Sequence, residues 1–188
     1  MIMPLVETER LIVRNFKSSD WEALRHIIIQ YQASEYAAYD HQWPTSEGEI
    51  KKITEWFASG DSYWAVELKD QGQLIGFVSL QREQNDQQTA NLGYVFDFDH
   101  HQQGFATEAC QAAIKHMFDS GQTKQIITGT AAVNISSCRL LERLGFQKTS
   151  ESMTSFSSTN EDHPVTFLGR TYELSKEAWD AANGQAVH

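Results

Sequence analysis

A chain of 188 residues with 40% hydrophobic content is long enough to bury a proper core, and its length favours one domain. The formal net charge of −10 argues against non-specific nucleic-acid binding, which needs clustered Lys and Arg against phosphate, and is compatible with a cationic substrate or simply with solubility. No apolar run reaches the roughly 18 residues of a membrane span, and the start, Met-Ile-Met-Pro-Leu-Val-Glu, lacks the parts of a signal peptide, so a cytoplasmic protein with neither nucleic acid nor membrane as partner is expected.

Leu11 to Asn15 reads as a strand, and Ser19 with Glu22 forms a capping box ahead of Trp21, Leu24 and Ile28 at helical spacing. Residues 30–44 have no clear period but are rich in aromatics and acids, among them Tyr31, Glu35, Tyr36, Tyr39, Asp40 and Trp43; a packed helical turn and loop is favoured over a substrate wall. Ser46 and Glu49 form a second capping box, and Ile50, Ile53 and Phe57 share a helical face until Gly60. Tyr63 to Leu68, Gln73 to Leu80 and Ala90 to Phe96 follow as three strands of an antiparallel meander.

The stretch 91–109 joins the last of these strands to an amphipathic helix through a glycine turn, with Gly104, Ala106 and Thr107 at the junction. A helix N-terminus carries unpaired N–H groups and partial positive charge, so such a junction can hold a phosphate. It is neither a Walker loop nor a dinucleotide fingerprint. Ala106, Ala109, Cys110, Ala113, Ile114 and Met117 share one helical face, Gly121 stops the helix, and Lys124 to Val133 is the next strand, expected to lie parallel to its predecessor through a right-handed crossover. Asn134 starts a helix closed by Gly145, and Phe146 to Phe156 with Thr166 to Leu174 makes a final antiparallel pair around a polar loop, Ser157 to Pro164. The expected architecture is a three-layer α+β domain over residues 1–180, a mostly antiparallel seven-stranded mixed sheet with one central parallel pair, followed by a disordered tail, 181–188. Cys110 and Cys138 are expected to be reduced buried thiols. The adjacent His100 and His101 lack the spacing of a helical chelate, so no metal is expected.

Two stretches together resemble the GNAT acetyltransferase family. His101-Gln-Gln-Gly104-Phe-Ala106 stands where that family has its pyrophosphate loop, and Asn134-Ile-Ser-Ser137-Cys-Arg139-Leu-Leu141-Glu-Arg143-Leu-Gly145-Phe146 is similar to a block of its RimJ/RimL-like branch. Thr8 to Arg14 and Tyr172 to Trp179 resemble the opening and close of the same branch. The resemblance implies acetyl-coenzyme A as co-substrate, held where the central strands splay. It implies that Tyr94, Val95 and Phe96 face the pantetheine arm, that backbone groups of Gln102, Gln103, Gly104, Phe105, Ala106 and Thr107 face the pyrophosphate, that Asn134 contacts pantetheine, and that Ser137 donates a proton to the departing thiolate. Arg139 and Arg143 read as solvated helix positions.

The implied reaction is direct acetyl transfer to a primary amine: an N-terminal α-amine of a protein or peptide, a ribosomal protein among the options, or a small-molecule amine. At pH 7 roughly a tenth of an α-amine but under a thousandth of a lysine is neutral, from reference pKa values near 7.7–8.0 and about 10.4. An α-amine therefore needs little base assistance. Asn91 stands where many family members have glutamate, leaving Asp97, Glu83 and Glu35 as candidate bases, while His101 and Gln103 replace commoner residues with more affinity for phosphate. A monomer or homodimer is expected. A non-catalytic acyl-coenzyme A sensor or partner-binding module with the same fold is the competing reading.

Overall fold

β-Branched and aromatic residues dominate the central strands, and both faces of the sheet they form are covered. The computed structural model describes residues 5–156 and 165–184. Eight strands form one sheet: β1 (Val6–Glu7), β2 (Leu11–Asn15), β3 (Tyr63–Leu68), β4 (Leu74–Arg82), β5 (Thr89–Phe96), β6 (Gln125–Ala131), β7 (Gln147–Phe156) and β8 (Val165–Ser175), in the spatial order β1-β2-β3-β4-β5-β6-β8-β7. The helices are α1 (Trp21–Gln32), α2 (Glu47–Ser59), α3 (Phe105–Asp119), α4 (Ile135–Arg143) and α5 (Lys176–Asn183), with 3-10 turns at Ser18–Asp20, Glu35–Tyr39 and Phe98–His100.

Neighbouring strands are antiparallel except β5 and β6, which the crossover through α3 makes parallel. The expected central parallel pair is therefore present, while the two-residue edge strand β1 raises the strand count from seven to eight. Side chains alternate between two cores. Trp64, Val66 and Ile75 join Ala109, Cys110, Ala113 and Ile114 of α3, with Cys138 and Leu141 of α4, on one face; Ala65, Leu74 and Phe77 join Leu24, Ile27 and Ile28 of α1 and Ile50 and Phe57 of α2 on the other. Being covered on both sides, β4 is buried from Leu74 through Leu80, without the one-sided alternation of a solvated sheet. Small residues on α3 let it lie close against the sheet.

Three local expectations are corrected. The turn before α1 is stabilised by Asp20, not by Ser19 and Glu22: Asp20 accepts the Lys17 N–H at 2.7 Å and pairs with Arg14 at 2.8 Å, and Arg14 also pairs with Glu67 on β3. This buried three-residue network pins the entry to α1 onto the sheet. Ser46 does precede α2, but its hydroxyl donates to the Glu49 carboxylate and does not cap a backbone N–H. Ser175 caps α5 by accepting the Ala178 N–H at 3.1 Å, and the helix continues to Asn183, so residues 181–183 are helical where a disordered tail was expected. Residues 185–188 and the loop 157–164 lie outside the described residues. Cys110 and Cys138 are both free and buried. Among the described residues no helix is long and apolar enough to cross a membrane.

Candidate active site

The parallel strands part early. β5 pairs with β6 only from Thr89 to Asn91, opposite Gln125 to Ile127, although β5 runs on to Phe96 and β6 to Ala131. The Thr128 hydroxyl donates to the Leu92 carbonyl at 2.8 Å, the last bridge before the gap. Because strand groups alternate in direction, the polar groups of Tyr94 and Phe96 share the side of Leu92 and face the gap. Val95 turns towards β4. Of the three residues expected to face pantetheine, Tyr94 thus presents both backbone groups there and Phe96 its N–H, its carbonyl being taken by the His101 ring. The cleft opened by the splay has a volume of about 270 Å³ and is lined by Leu92, Gly93 and Tyr94 on one strand and Thr128 to Ala131 on the other, with Asn134 and Ser137 at one end.

Beyond Phe96 the chain turns sharply. Gln102 has φ 60° and Gly104 φ 83°, both in the left-handed region, and α3 begins at Phe105. Glu108 is the first residue of α3 whose N–H bonds back, to the Gly104 carbonyl at 3.0 Å. The N–H groups of Phe105, Ala106 and Thr107 are then the unpaired donors that every helix start leaves. Alternating backbone conformations ahead of a helix make a concave donor surface that suits a phosphate. His101 has a different job from a phosphate ligand: its ring Nε2 lies 3.0 Å from the Phe96 carbonyl, which can only accept, so the ring donates and ties the loop to the strand end. Gln103 donates to the Asp99 carbonyl at 3.2 Å.

The loop is buttressed from the bend that precedes β2. Arg10 donates to the Gln103 carbonyl at 2.9 Å and to Glu108 at 2.7 Å, and its guanidinium covers the Phe105 ring at 4.4 Å. Burial alone would raise the Glu108 pKa, but hydrogen bonds from the Thr8 hydroxyl and from the Arg10 N–H and guanidinium outweigh it and hold the carboxyl below its usual range. Arg143, read as a solvated position, donates to the Thr107 hydroxyl at 3.2 Å and lines a surface depression with Arg10 and Gly104. Arg139 is exposed. Arg10 was not identified from the sequence, because its partners lie almost a hundred residues away and no local pattern announces them.

At the cleft's end Asn134 caps α4, its side-chain oxygen accepting the Ser137 N–H at 3.0 Å. That bond fixes the first turn of α4 and with it Ser137, whose Oγ lies 2.7 Å from the Tyr94 hydroxyl. The Tyr94 phenol is pushed far above its ordinary pKa by burial, with the Ser137 hydrogen bond opposing. It therefore remains a neutral hydroxyl that can pass a proton to or from Ser137. The Tyr94 side chain is a second contribution that strand patterning did not anticipate.

The opposite wall comes from the stretch that lacked periodicity. Tyr31 at the end of α1, Tyr36 and Tyr39 of the next 3-10 turn, and Asp40 all line the cleft. Tyr39 packs against Phe167 of β8 with ring centroids 5.2 Å apart, which docks this segment across the mouth. The expected packed helical turn and loop is present, with a 3-10 turn at Glu35–Tyr39, and four of its residues and neighbours also line the cleft. None of the three candidate bases lines the cleft. Asp97 is buried at the end of β5 and caps the 3-10 turn after it, accepting the Asp99 N–H at 2.9 Å; Glu83 sits at the start of the β4–β5 turn and Glu35 is exposed. Asn91 does line it, at the last paired position of β5.

Among the described residues, His26, Asp97 and Asp99 are the one grouping of potential metal ligands, with ligand atoms within 4.8 Å of one another. None of the three is among the residues that line the cleft. The cleft offers what a phosphorylated, amide-containing co-substrate needs: free strand edges for amides, a concave donor loop for phosphates and paired hydroxyls where the arm would end. The residues present fit coenzyme A.

Residues 10–147 match the family model of the acetyltransferase (GNAT) domain. The uncharacterized N-acetyltransferase YoaA of Bacillus subtilis is 26% identical over 151 residues, 78% of this chain and 85% of that protein. The ribosomal-protein-serine acetyltransferase of Escherichia coli is 34% identical over 74 residues, 39% of this chain and 41% of its own length. Among solved structures, an acetyltransferase (GNAT family) from Bacillus anthracis superposes with a TM-score of 0.80 at 22% identity, covering 93% of this chain and 99% of that one. RimL, a ribosomal L7/L12 alpha-N-protein acetyltransferase in complex with coenzyme A, superposes with 0.74 at 17% identity, covering 93% and 99%. At such identities the structural likeness speaks for the fold.

Proposed function

The chain belongs to the GNAT acetyltransferase family, and from that premise we propose that it is an acetyl-coenzyme A-dependent N-acetyltransferase acting on a primary amine by direct attack in a ternary complex. The observation that carries the reading is the paired hydroxyls of Ser137 and Tyr94 in the splay between β5 and β6. Coenzyme A, when bound, supplies the acetyl thioester. The chain supplies the rest. Phe105, Ala106 and Thr107 offer N–H groups to the pyrophosphate, Tyr94 and Phe96 offer strand-edge groups to pantetheine, and Ser137 gives its proton to the departing sulfur with Tyr94 behind it. Asn134 positions Ser137 through the cap.

The likeness to the ribosomal-protein-serine enzyme supports a protein N-terminus as one acceptor, beside small-molecule amines, and a cytoplasmic setting follows from that. The test is thiol release from acetyl-coenzyme A across N-terminal peptides, polyamines and other primary amines. An acetyltransferase loses roughly 10²–10⁴-fold in kcat on Ser137→Ala, the range of a general acid, while keeping coenzyme affinity. Asn91 in place of a carboxylate favours a second reading, an acyl-coenzyme A sensor. A sensor binds the coenzyme and releases no thiol with any amine, so wild-type turnover rejects it.

A further inference from the structure

The wall facing Ser137 carries more chemistry than closing a cleft requires. Asp40 accepts the Tyr31 hydroxyl on one carboxylate oxygen and the His41 N–H on the other, both at 2.7 Å. Each oxygen keeps lone-pair capacity for a further donor. Tyr31, Tyr36 and Tyr39 line the same cleft as Asp40, Tyr94 and Ser137. Tyr31 is itself held protonated, its pKa raised first by burial and then by the neighbouring Asp40 charge, so it stays a donor to the carboxylate. A carboxylate fixed by a phenol, with other phenol rings beside it, is the environment that attracts an organic ammonium, through charge-assisted hydrogen bonds and the negative faces of the rings.

Resting on the acetyltransferase reading, we propose that Asp40, positioned by Tyr31 and flanked by Tyr36 and Tyr39, is the subsite that recognises the acceptor's ammonium and takes its first proton. The acceptor is then a cationic primary amine with no carboxylate beside the amine. A free α-amino acid is disfavoured, because its own carboxylate would be carried into the field of Asp40 in a chain whose formal charge is already −10. A peptide N-terminus, whose neighbouring carbonyl is a neutral amide, and a polyamine both satisfy the requirement. In the transfer, R–NH3+ loses one proton to Asp40 and thence to water, and the freed lone pair forms the C–N bond as the thioester C–S bond breaks. The second proton lost by nitrogen passes to Ser137 as the Ser137 hydroxyl proton goes to sulfur. The products are an N-acetyl amide, a thiol and one proton in solution.

The subsite is tested by two measurements on the full chain. Thiol-release kinetics compare a free-N-terminal peptide amide, spermidine and a free α-amino acid, in wild type, Asp40→Asn and Tyr31→Phe. Ligand-observed NMR titration then compares the peptide amide with its N-formyl form on the coenzyme-free protein, which reads recognition without turnover. We expect Asp40→Asn to raise KM for both cationic amines by about tenfold or more, the worth of a charge-assisted hydrogen bond, and to lower kcat as well. The fall in kcat is larger for spermidine, whose alkyl ammonium gives up its proton less readily than a peptide N-terminus. Wild type binds the charged peptide more tightly than its formylated form, and the variant loses that preference. Tyr31→Phe keeps the ring, removes one hydrogen bond and raises KM by about three- to tenfold. It carries the test if Asp40→Asn no longer binds coenzyme A, the check on its fold. Whether peptide or spermidine gives the higher kcat/KM assigns the source of the ammonium. Wild-type turnover with KM unchanged in the variants, equal binding of charged and formylated peptide, or a free amino acid as the best acceptor overturns the subsite and leaves the acetyltransferase standing. Preferential binding of the charged peptide without thiol release from any amine supports the subsite and overturns the acetyltransferase.

Discussion

The loop 101–104 and the first turn of α3 present backbone N–H groups shaped by two left-handed residues, whereas in the cleft Tyr31, Tyr36, Tyr39 and Asp40 present side chains. The first surface suits a ligand part that never varies, since backbone geometry tolerates most side-chain changes and resists only those that alter φ. The second suits a part that varies among related enzymes, because any of its side chains can change without rebuilding the fold. Ser137 and Tyr94, joined through their hydroxyls, line the same cleft as the tyrosines.

This contrast can be broken by experiment. The largest effect on coenzyme A affinity is expected at Gly104, where φ is 83° and a Cβ would come within 3.3 Å of an Arg10 nitrogen. Since the Arg10 end can move, backbone strain decides: Gly104→Val costs about 1–3 kcal/mol, seen in calorimetry as a roughly ten- to hundredfold loss of coenzyme A affinity with each 1.4 kcal/mol worth about tenfold. Unchanged affinity would mean that the loop's backbone does not hold the phosphates. Next is Tyr94→Phe, which removes one hydrogen bond from Ser137 and is expected to lower kcat by about three- to tenfold while leaving coenzyme A affinity intact. A loss of affinity in its place would move Tyr94 from the chemistry to the binding surface.

The buttress of the loop predicts a pH effect. The folded Glu108 carboxyl lies below its unfolded pKa, so its contribution to stability is fully present above the ordinary carboxylate value, about 4.3, and is lost as pH falls through the lower folded value. Glu108→Gln should flatten the acid fall of Tm in this range. Its cost at neutral pH is about 1 kcal/mol or less, because Arg10 is partly exposed, corresponding to a Tm drop of about 2–4 °C at most for a chain of this size. The smallest effect is expected at His101, whose ring supports the Phe96 carbonyl from an exposed position. His101→Ala should weaken coenzyme A binding by about threefold or less. A large loss there would show that the side chain contributes to phosphate binding as well as to the loop's shape.

Much of the backbone side was legible in the sequence. Gly104 before an amphipathic run marked the helix start, and Asn134 marked the cap that carries Ser137. Arg10 and Arg143 escaped notice as supports for the junction, and the reading of little side-chain help there undervalued them, because their partners Gln103, Glu108 and Thr107 are remote in sequence. The tyrosine wall was visible as a composition and not as a place: residues 30–44 lack a period because they serve a cleft and not a regular face. Asp97, Glu83 and Glu35 are not among the residues that line the cleft, whereas Asp40 is, and nothing local distinguishes it from other loop acids.

The sequence by itself determined the strands β2 to β8, the helices α1 to α4 and the α3 crossover, since periodicity, glycine stops and polar starts act over a few residues. It also determined the family, through two blocks with fixed spacing. Tertiary structure alone decided that β8 and not β7 lies against β6, that the parting of β5 and β6 begins after Asn91, and that Tyr94 meets Ser137 in the cleft that Asp40 also lines. Those outcomes depend on how two buried faces pack at once, which no local pattern encodes, and on contacts between residues that are neighbours only after the sheet has formed.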